Sequence, residues 1–244
     1  MRGGLKGKTV LVAGASSGMG RAIALAAAGA GADVLLLARQ PEPLHAAAQA
    51  VRGRAPGRAV AEIPGDASDG DALTAALGPH RALVDRIDIL VNSVGTNFVQ
   101  RAFGELTATS WAGMLDTNLT AAFNLTRAVI PAMRARGEGL VIHIASLAAR
   151  RADRSGAAYQ AAKAGVVALT HAVMEEERGN GIRMTAILPG MTDTPLLDRR
   201  PTPPTPEDRA RALQPADIAE ACLFVMQRPA RAHVAAILIQ PSRS

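Results

Sequence analysis

The sequence predicts a doubly wound α/β fold, with a seven-stranded parallel sheet and helices on both faces. Three observations predict it. Short apolar runs such as Val10-Leu11-Val12 and Leu35-Leu36-Leu37 alternate with helical stretches of ten or more residues, the pattern of crossover units. The runs are apolar at successive positions, as strands covered on both faces require. A glycine-rich turn then leads from the first run into the first helix.

The elements follow in order. Residues 9–13 form a strand that stops at Gly14, and 18–30 an Ala-rich helix closed by Gly31. A second strand spans 33–38, and a helix with proline at its start spans 41–52. Residues 58–63 make a weaker third strand, and 69–84 a helix interrupted near Gly78-Pro79. A fourth strand at 87–92 precedes a long helix over 109–136. Strands at 140–145 and 183–188 flank a helix at 157–178. The polar, proline-rich stretch 198–208 reads as an insertion over the site rather than a domain boundary. A helix at 215–227 and a strand at 235–240 end the pattern, so the 244 residues read as one domain without internal repeats.

Composition narrows the function classes. The chain is 48% hydrophobic but only 2% aromatic, so Ala, Val, Leu and Ile must build a core of closely packed helices and sheet. The single cysteine, Cys222, forms no internal disulfide and suits a reducing cytoplasm. No apolar run reaches membrane-spanning length, and residues 1–8 lack the apolar core of a secretory signal. A cytoplasmic protein without a membrane partner is expected. The net charge of +6 is carried by arginine, the only lysines being Lys6, Lys8 and Lys163. These arginines are dispersed, apart from Arg150, Arg151 and Arg154 and the pair Arg199 and Arg200, and stacking aromatics are scarce. A solvated basic surface is therefore expected rather than a nucleic-acid site. No Cys/His cluster has zinc-ligand spacing, so no metal is expected. His143 in a strand and His171 in a helix read as packing residues.

The segment Gly14-Ala15-Ser16-Ser17-Gly18-Met19-Gly20 joins the first strand to the first helix. A dinucleotide pyrophosphate needs glycine there for close backbone approach, and the helix N-terminus offers free N–H groups. At the end of the second strand a carboxylate would bind a ribose 2′-hydroxyl, whereas an arginine would pair with a 2′-phosphate. Arg39 stands there and no acid occurs until Glu42, which favours NADP(H) and leaves NAD(H) as the alternative. Tyr159 is the only tyrosine, and Lys163 follows on the same helical face. An unassisted phenol has a pKa near 10 and is no base at neutral pH. A nearby ammonium is expected to lower that pKa. Ser146 ends a strand at the sheet edge where open α/β sheets bind ligands, and its hydroxyl can donate to a substrate oxygen. Arg150, Arg151 and Arg154 follow closely enough to reach the cleft mouth.

With these motifs in order, the sequence resembles the short-chain dehydrogenase/reductase family over nearly its whole length. Gly14, Gly18 and Gly20 match, as does Asp66 after the third strand. Asn92-Ser93-Val94-Gly95 corresponds to the Asn-Asn-Ala-Gly segment. Asn118, Ser146, Tyr159 and Lys163 occupy the catalytic tetrad positions, and Pro189-Gly190-Met191-Thr192-Asp193-Thr194 the segment that holds nicotinamide. The resemblance implies one Rossmann-type NAD(P)-binding domain over 1–244 with a substrate lid at about 191–214. It implies hydride transfer between nicotinamide and a carbonyl or alcohol carbon of a small molecule. Tyr159 would be the acid/base and Ser146 would orient the substrate oxygen. Lys163 would bind the ribose and lower the tyrosine pKa, and Asn118 would position a water. Asp66 would accept from adenine, and Thr194 would contact the carboxamide or phosphates. Ser16, Ser17, Met19, Arg39, Asn92 and Gly95 would join the cofactor site with Pro189, Gly190 and Thr192. Val94, Leu147, Met191 and Leu196 would face the substrate. A homo-oligomer, dimer or tetramer, is implied as well. The chain departs from the family at Ala13, usually Thr, and in ending Ile-Leu-Ile-Gln-Pro-Ser-Arg-Ser where many members carry Asp-Gly-Gly. The alternatives are an NAD-linked dehydrogenase and a non-catalytic dinucleotide-binding regulator, which would need the glycines but not the tyrosine.

Overall fold

The computed structural model describes residues 4–242, so Met1 to Gly3 and the final Arg243-Ser244 lie outside it. Strand β1 (Thr9–Ala13) leads to helix α1 (Gly18–Gly29), β2 (Asp33–Ala38) to α2 (Pro41–Arg54), and β3 (Val60–Pro64) to α3 (Gly70–Leu77) and the short α4 (Arg81–Val84). Then come β4 (Ile89–Asn92), α5 (Ala108–Leu115), α6 (Ala121–Arg136), β5 (Gly139–Ile144), α7 (Ala157–Glu177) and β6 (Ile182–Pro189). The last are α8 (Pro206–Arg211), α9 (Pro215–Met226) and β7 (Ala236–Ile239). Every strand pairing is parallel, and the sheet order is β3-β2-β1-β4-β5-β6-β7. The order reverses between β1 and β4. A crevice opens beyond the carboxyl ends of those two strands, the usual ligand position in such sheets.

Strand periodicity sorts the core into two layers. Val10 and Val12 of β1 pack with Ile23, Ala24 and Ala27 of α1 and with Ile218 and Cys222 of α9. Leu11 and Ala13 point the other way, to Leu73 of α3 and to Leu125, Val129 and Met133 of α6. Small residues carry much of the first layer, and α1 and α9 lie side by side on it. No helix among the described residues is long and apolar enough to cross a membrane.

One expected helix is interrupted where its Gly-Pro pair falls, and another differs in detail. The 69–84 helix breaks at Gly78-Pro79-His80 into α3 and α4. The 109–136 helix widens into a π turn at Asp116–Thr120, where the Ala121 N–H reaches back to the Asp116 carbonyl. Such a turn inserts one residue into the helical register and alters where Asn118 points. In the insertion, a helical turn at Pro195–Arg199 and α8 are tied down by a bridge between Thr192 and Leu213.

Candidate active site

Glycine shapes the crevice. Gly14 has φ +78°, and a Cβ there would lie 2.7 Å from the Ser93 carbonyl oxygen. A Cβ at Gly20 would lie 2.1 Å from the Gly14 carbonyl oxygen. Only glycine lets the turn after β1 press on both the loop after β4 and the start of α1. No side chain caps α1, since Ser17 makes no capping hydrogen bond. The first N–H groups of that helix, with their partial positive charge, are left without a capping acceptor beside the groove. This cradle fits a pyrophosphate.

The groove, about 270 Å³, is lined by Gly14, Ser16, Ser17, Gly18 and Met19 on one side. Arg39, Asp66, Val94, Gly95 and Thr194 line it as well. Arg39 approaches Asp66 only to 3.8 Å, and its side chain is 61% exposed. That contact is weak and leaves the guanidinium free to turn to another anion. Burial acts to raise the Asp66 pKa, but hydrogen bonds from Ser68 and the Arg39 charge outweigh it and leave the carboxyl below its usual range. Thr117 and Pro195, unremarked in the sequence, also line the groove.

Asn92 stands behind this wall. Its Oδ1 accepts from the Val94 N–H (3.0 Å), and its Nδ2 donates to His143 Nδ1 (3.2 Å). The ring's other nitrogen meets Thr126 Oγ1 at 3.2 Å, while that hydroxyl donates to the Ala122 carbonyl. His143 therefore carries its proton on Nε2. Burial, with the Lys163 charge nearby, lowers its pKa to about 3. This neutral ring bolts the loop after β4 to α6.

Asn118, 1% exposed, sits in the π turn. Its Nδ2 donates to the Thr96 and Met114 carbonyls, and its Oδ1 accepts from the Thr96 N–H. The widened turn thus stitches the β4 loop to the α5–α6 helix. Lys163, 4% exposed, points from α7 to the same place and donates to the Ile144 carbonyl at 3.1 Å. A Cβ at Gly95 would lie 3.0 Å from both Asn118 Oδ1 and Lys163 Nζ, so this glycine clears the path between them and the groove. Burial lowers the Lys163 pKa to about 8.

Tyr159, one turn before Lys163 on α7, faces a second cavity of about 220 Å³ together with Ser146. Ser146 Oγ accepts from the Ala148 N–H at 3.2 Å, so its hydroxyl proton is not spent on the backbone and is directed toward the Tyr159 phenol. Burial raises the Tyr159 pKa, outweighing the Ser146 hydroxyl and the positive charges of Arg101 and Arg200; Asp153 pushes the same way as burial. Lys163, whose ammonium donates to the Ile144 carbonyl, is not among the groups that shift the phenol. Leu147, Met191, Leu196 and Leu197 line this cavity beside Pro189, Gly190 and Thr192. Val94 lies on the groove side instead, while Met19, Thr194 and Leu196 line both spaces, which are therefore contiguous.

A clasp holds the 191–214 segment against the loop after β4. Arg199 donates to Thr96 Oγ1 at 2.6 Å, and Arg101 donates back to the Arg199 carbonyl. Arg209 ties Asp193 to Asp198. Of the arginines singled out after Ser146, Arg150 and Arg151 are exposed and do not line the cavity, whereas Arg154 borders its outer mouth. The cavity arginines are Arg101 and Arg200. Arg101 falls in no motif, and only its burial reveals it.

Residues 8–204 match the family described as short chain dehydrogenase. An uncharacterized oxidoreductase of Staphylococcus saprophyticus is 31% identical over 238 residues, covering 97% of this chain and 98% of that one. A metagenomic short-chain oxidoreductase crystallised in complex with NADP superposes with a TM-score of 0.84 at 30% identity, over 98% of this chain and 99% of the other. A 3-oxoacyl-[acyl-carrier protein] reductase with bound NAD from Brucella melitensis gives 0.85 at 28% identity, over 98% and 91%.

Proposed function

The chain belongs to the short-chain dehydrogenase family, and from that premise we propose that it is an NADP(H)-dependent oxidoreductase acting on a carbonyl or secondary alcohol of a small molecule. The observation that carries this reading is the shared wall between two spaces. Tyr159 and Ser146 face one, the glycine cradle lines the other, Met19, Thr194 and Leu196 line both, and Lys163 and Asn118 lie behind Gly95 of the groove.

When bound, the nicotinamide supplies or accepts the hydride. The chain does the rest. The α1 N-terminus and Gly14, Gly18 and Gly20 hold the pyrophosphate, Asp66 the adenine, and Arg39 the 2′-phosphate. Pro189, Gly190, Thr192 and Thr194 receive the nicotinamide end. Ser146 donates its hydroxyl proton to the substrate oxygen and fixes its position. In reduction Tyr159 gives its phenolic proton to that oxygen; in oxidation it takes the hydroxyl proton back. Lys163 serves the ribose hydroxyls, and its charge stabilises phenolate once Nζ turns from Ile144. The buried, unpaired Cys222 supports a cytoplasmic location. Exposed apolar side chains at Phe103, Trp111 and Phe123 support a homo-oligomer.

A screen of ketones, oxo acids and secondary alcohols against NADPH oxidation and NADP⁺ reduction tests the reading. Turnover of at least one carbonyl with NADPH, lost in Ser146→Ala, is expected. Cofactor binding with no turnover across the screen would contradict it.

A further inference from the structure

The cavity beside Tyr159 carries more positive charge than hydride transfer to a neutral carbonyl requires. Arg101 is only 8% exposed and lines it. One of its N–H groups donates to the Arg199 carbonyl, but its Nε is buried and has no hydrogen-bond partner among the described residues. Ser155 Oγ, on the same cavity wall, is likewise buried without a partner. Arg200 lines the cavity too, and among the described residues neither arginine forms an ion pair within 4.0 Å. Asp153 is the one carboxylate on the wall, and its Oδ1 already accepts from the Ser155 N–H at 2.8 Å. Beyond it lies an outer chamber of about 370 Å³ that shares Arg101, Arg200, Asp153 and Ser155 and adds Arg154. There three arginines face one aspartate.

Arg101 is placed there by structure, not by surface chance. Gly156, at φ +94°, precedes α7, and a Cβ on it would lie 2.6 Å from the Arg101 carbonyl oxygen. Asn97 Nδ2 donates to the Ser155 carbonyl at 2.9 Å, so the strap 97–101 is pinned against the start of the tyrosine-bearing helix. A buried guanidinium with an unmet donor is costly unless an anion meets it. Burial and the like charge of Arg200 lower the Arg101 pKa, while Tyr159 and Asp153 hold it up; an oxyanion in the cavity would restore it.

We propose that Arg101 and Arg200, with the Ser155 hydroxyl, form an anion subsite of the substrate cleft. The substrate is then a small carbonyl compound, or the matching alcohol, that carries an oxyanion beyond its reacting carbon. This rests on the oxidoreductase reading above. Short oxo acids are the simplest such compounds: the carbonyl lies against Tyr159 and Ser146, and the carboxylate accepts charge-assisted hydrogen bonds from the guanidinium groups. Phosphorylated ketones share the chemistry.

Two measurements on the full chain test it. In the first, short straight-chain carboxylates, their neutral amides and an alkyl phosphate are titrated calorimetrically into the wild type, Arg101→Met, Arg200→Ala and, as a surface control, Arg150→Ala. The carboxylate or the phosphate should bind at least tenfold tighter than the amide, about 1.4 kcal/mol. That margin should vanish in Arg200→Ala, an exposed position that tolerates change, and in Arg101→Met, and persist in Arg150→Ala. In the second, kcat/KM with NADPH is compared for oxo acids, their methyl esters and phosphorylated ketones. A tenfold preference for one anionic series, lost in Arg200→Ala through KM, supports the subsite and identifies the oxyanion as carboxylate or phosphate. Equal binding of carboxylate, phosphate and amide overturns it, and so do faster turnover of the esters or a margin unchanged in both cavity variants. Arginine-dependent anion binding with no turnover of any carbonyl would support the subsite while contradicting the hydride-transfer reading.

Discussion

The Lys163 ammonium stands 5.8 Å from the centre of the Tyr159 ring and gives its hydrogen bond to the Ile144 carbonyl rather than to the phenol. The buried ammonium thus lies over the edge of a half-buried phenol without a hydrogen bond between them. Each is shifted by burial toward its neutral form, with Lys163 lowered to about 8 and Tyr159 raised.

A buried ammonium costs stability. Lys163 titrates near 8 when folded against an ordinary value of 10.5, so the folded state holds the proton less tightly than the unfolded one. The penalty is complete below pH 8 and fades as pH rises toward 10.5. Lys163→Met should therefore be more stable than wild type at pH 7 by about 1–3 kcal/mol, with the margin shrinking by pH 10. Chemical denaturation at the two pH values checks this, and cofactor affinity should fall in the same variant.

Arg39 sets the cofactor prediction. Its guanidinium is exposed and only loosely paired with Asp66, so little must be broken before it meets a 2′-phosphate. NADPH should bind at least tenfold tighter than NADH, about 1.4 kcal/mol. Arg39→Ala should erase that ratio while leaving NADH binding nearly unchanged. Fluorescence titration measures both constants.

Gly14 can be tested by one methyl group. At φ +78°, with the Ser93 carbonyl 2.7 Å from the added carbon, Gly14→Ala should cost about 2 kcal/mol in stability and weaken dinucleotide binding. A melting temperature equal to that of the wild type would show that the turn can relax.

The lid should respond to ligand. In the cofactor-free protein the 198–208 segment, exposed and broken by prolines, should exchange its amide hydrogens fast. Asp193 and Leu213, whose N–H groups bond across the Thr192 bridge, should exchange slowly. Cofactor and substrate together should slow the whole segment, as hydrogen-exchange mass spectrometry can follow.

Much of this was legible in the sequence, for physical reasons. Buried strands such as 33–38 are apolar at every position after Asp33, glycine is forced at Gly14, and the Tyr159–Lys163 spacing places both on one helical face. What escaped depends on contacts distant in sequence. Periodicity places Asn118 on a helix but does not register the π turn that aims its amide at Thr96. Spacing does not say that Lys163 turns to Ile144, nor that Asn92 spends its amide on His143 behind the groove wall. The charge cluster at Arg150, Arg151 and Arg154 drew attention to the right side of the cleft, yet only Arg154 reaches its mouth. Arg101 sits in an irregular strap where no pattern marks it, and it becomes visible only when Gly156 and Ser155 fold against it.

The central claim is that Tyr159 carries the proton in hydride transfer, and Tyr159→Phe tests it most directly. Phenylalanine keeps the ring that packs beside Met114 and Ala162 and removes only the hydroxyl. The variant should melt near the wild-type temperature and bind NADPH with wild-type affinity, while kcat on the best carbonyl substrate falls at least about a hundredfold. Wild-type turnover in the folded, cofactor-binding variant would mean that the proton travels by another route, and would contradict the assignment.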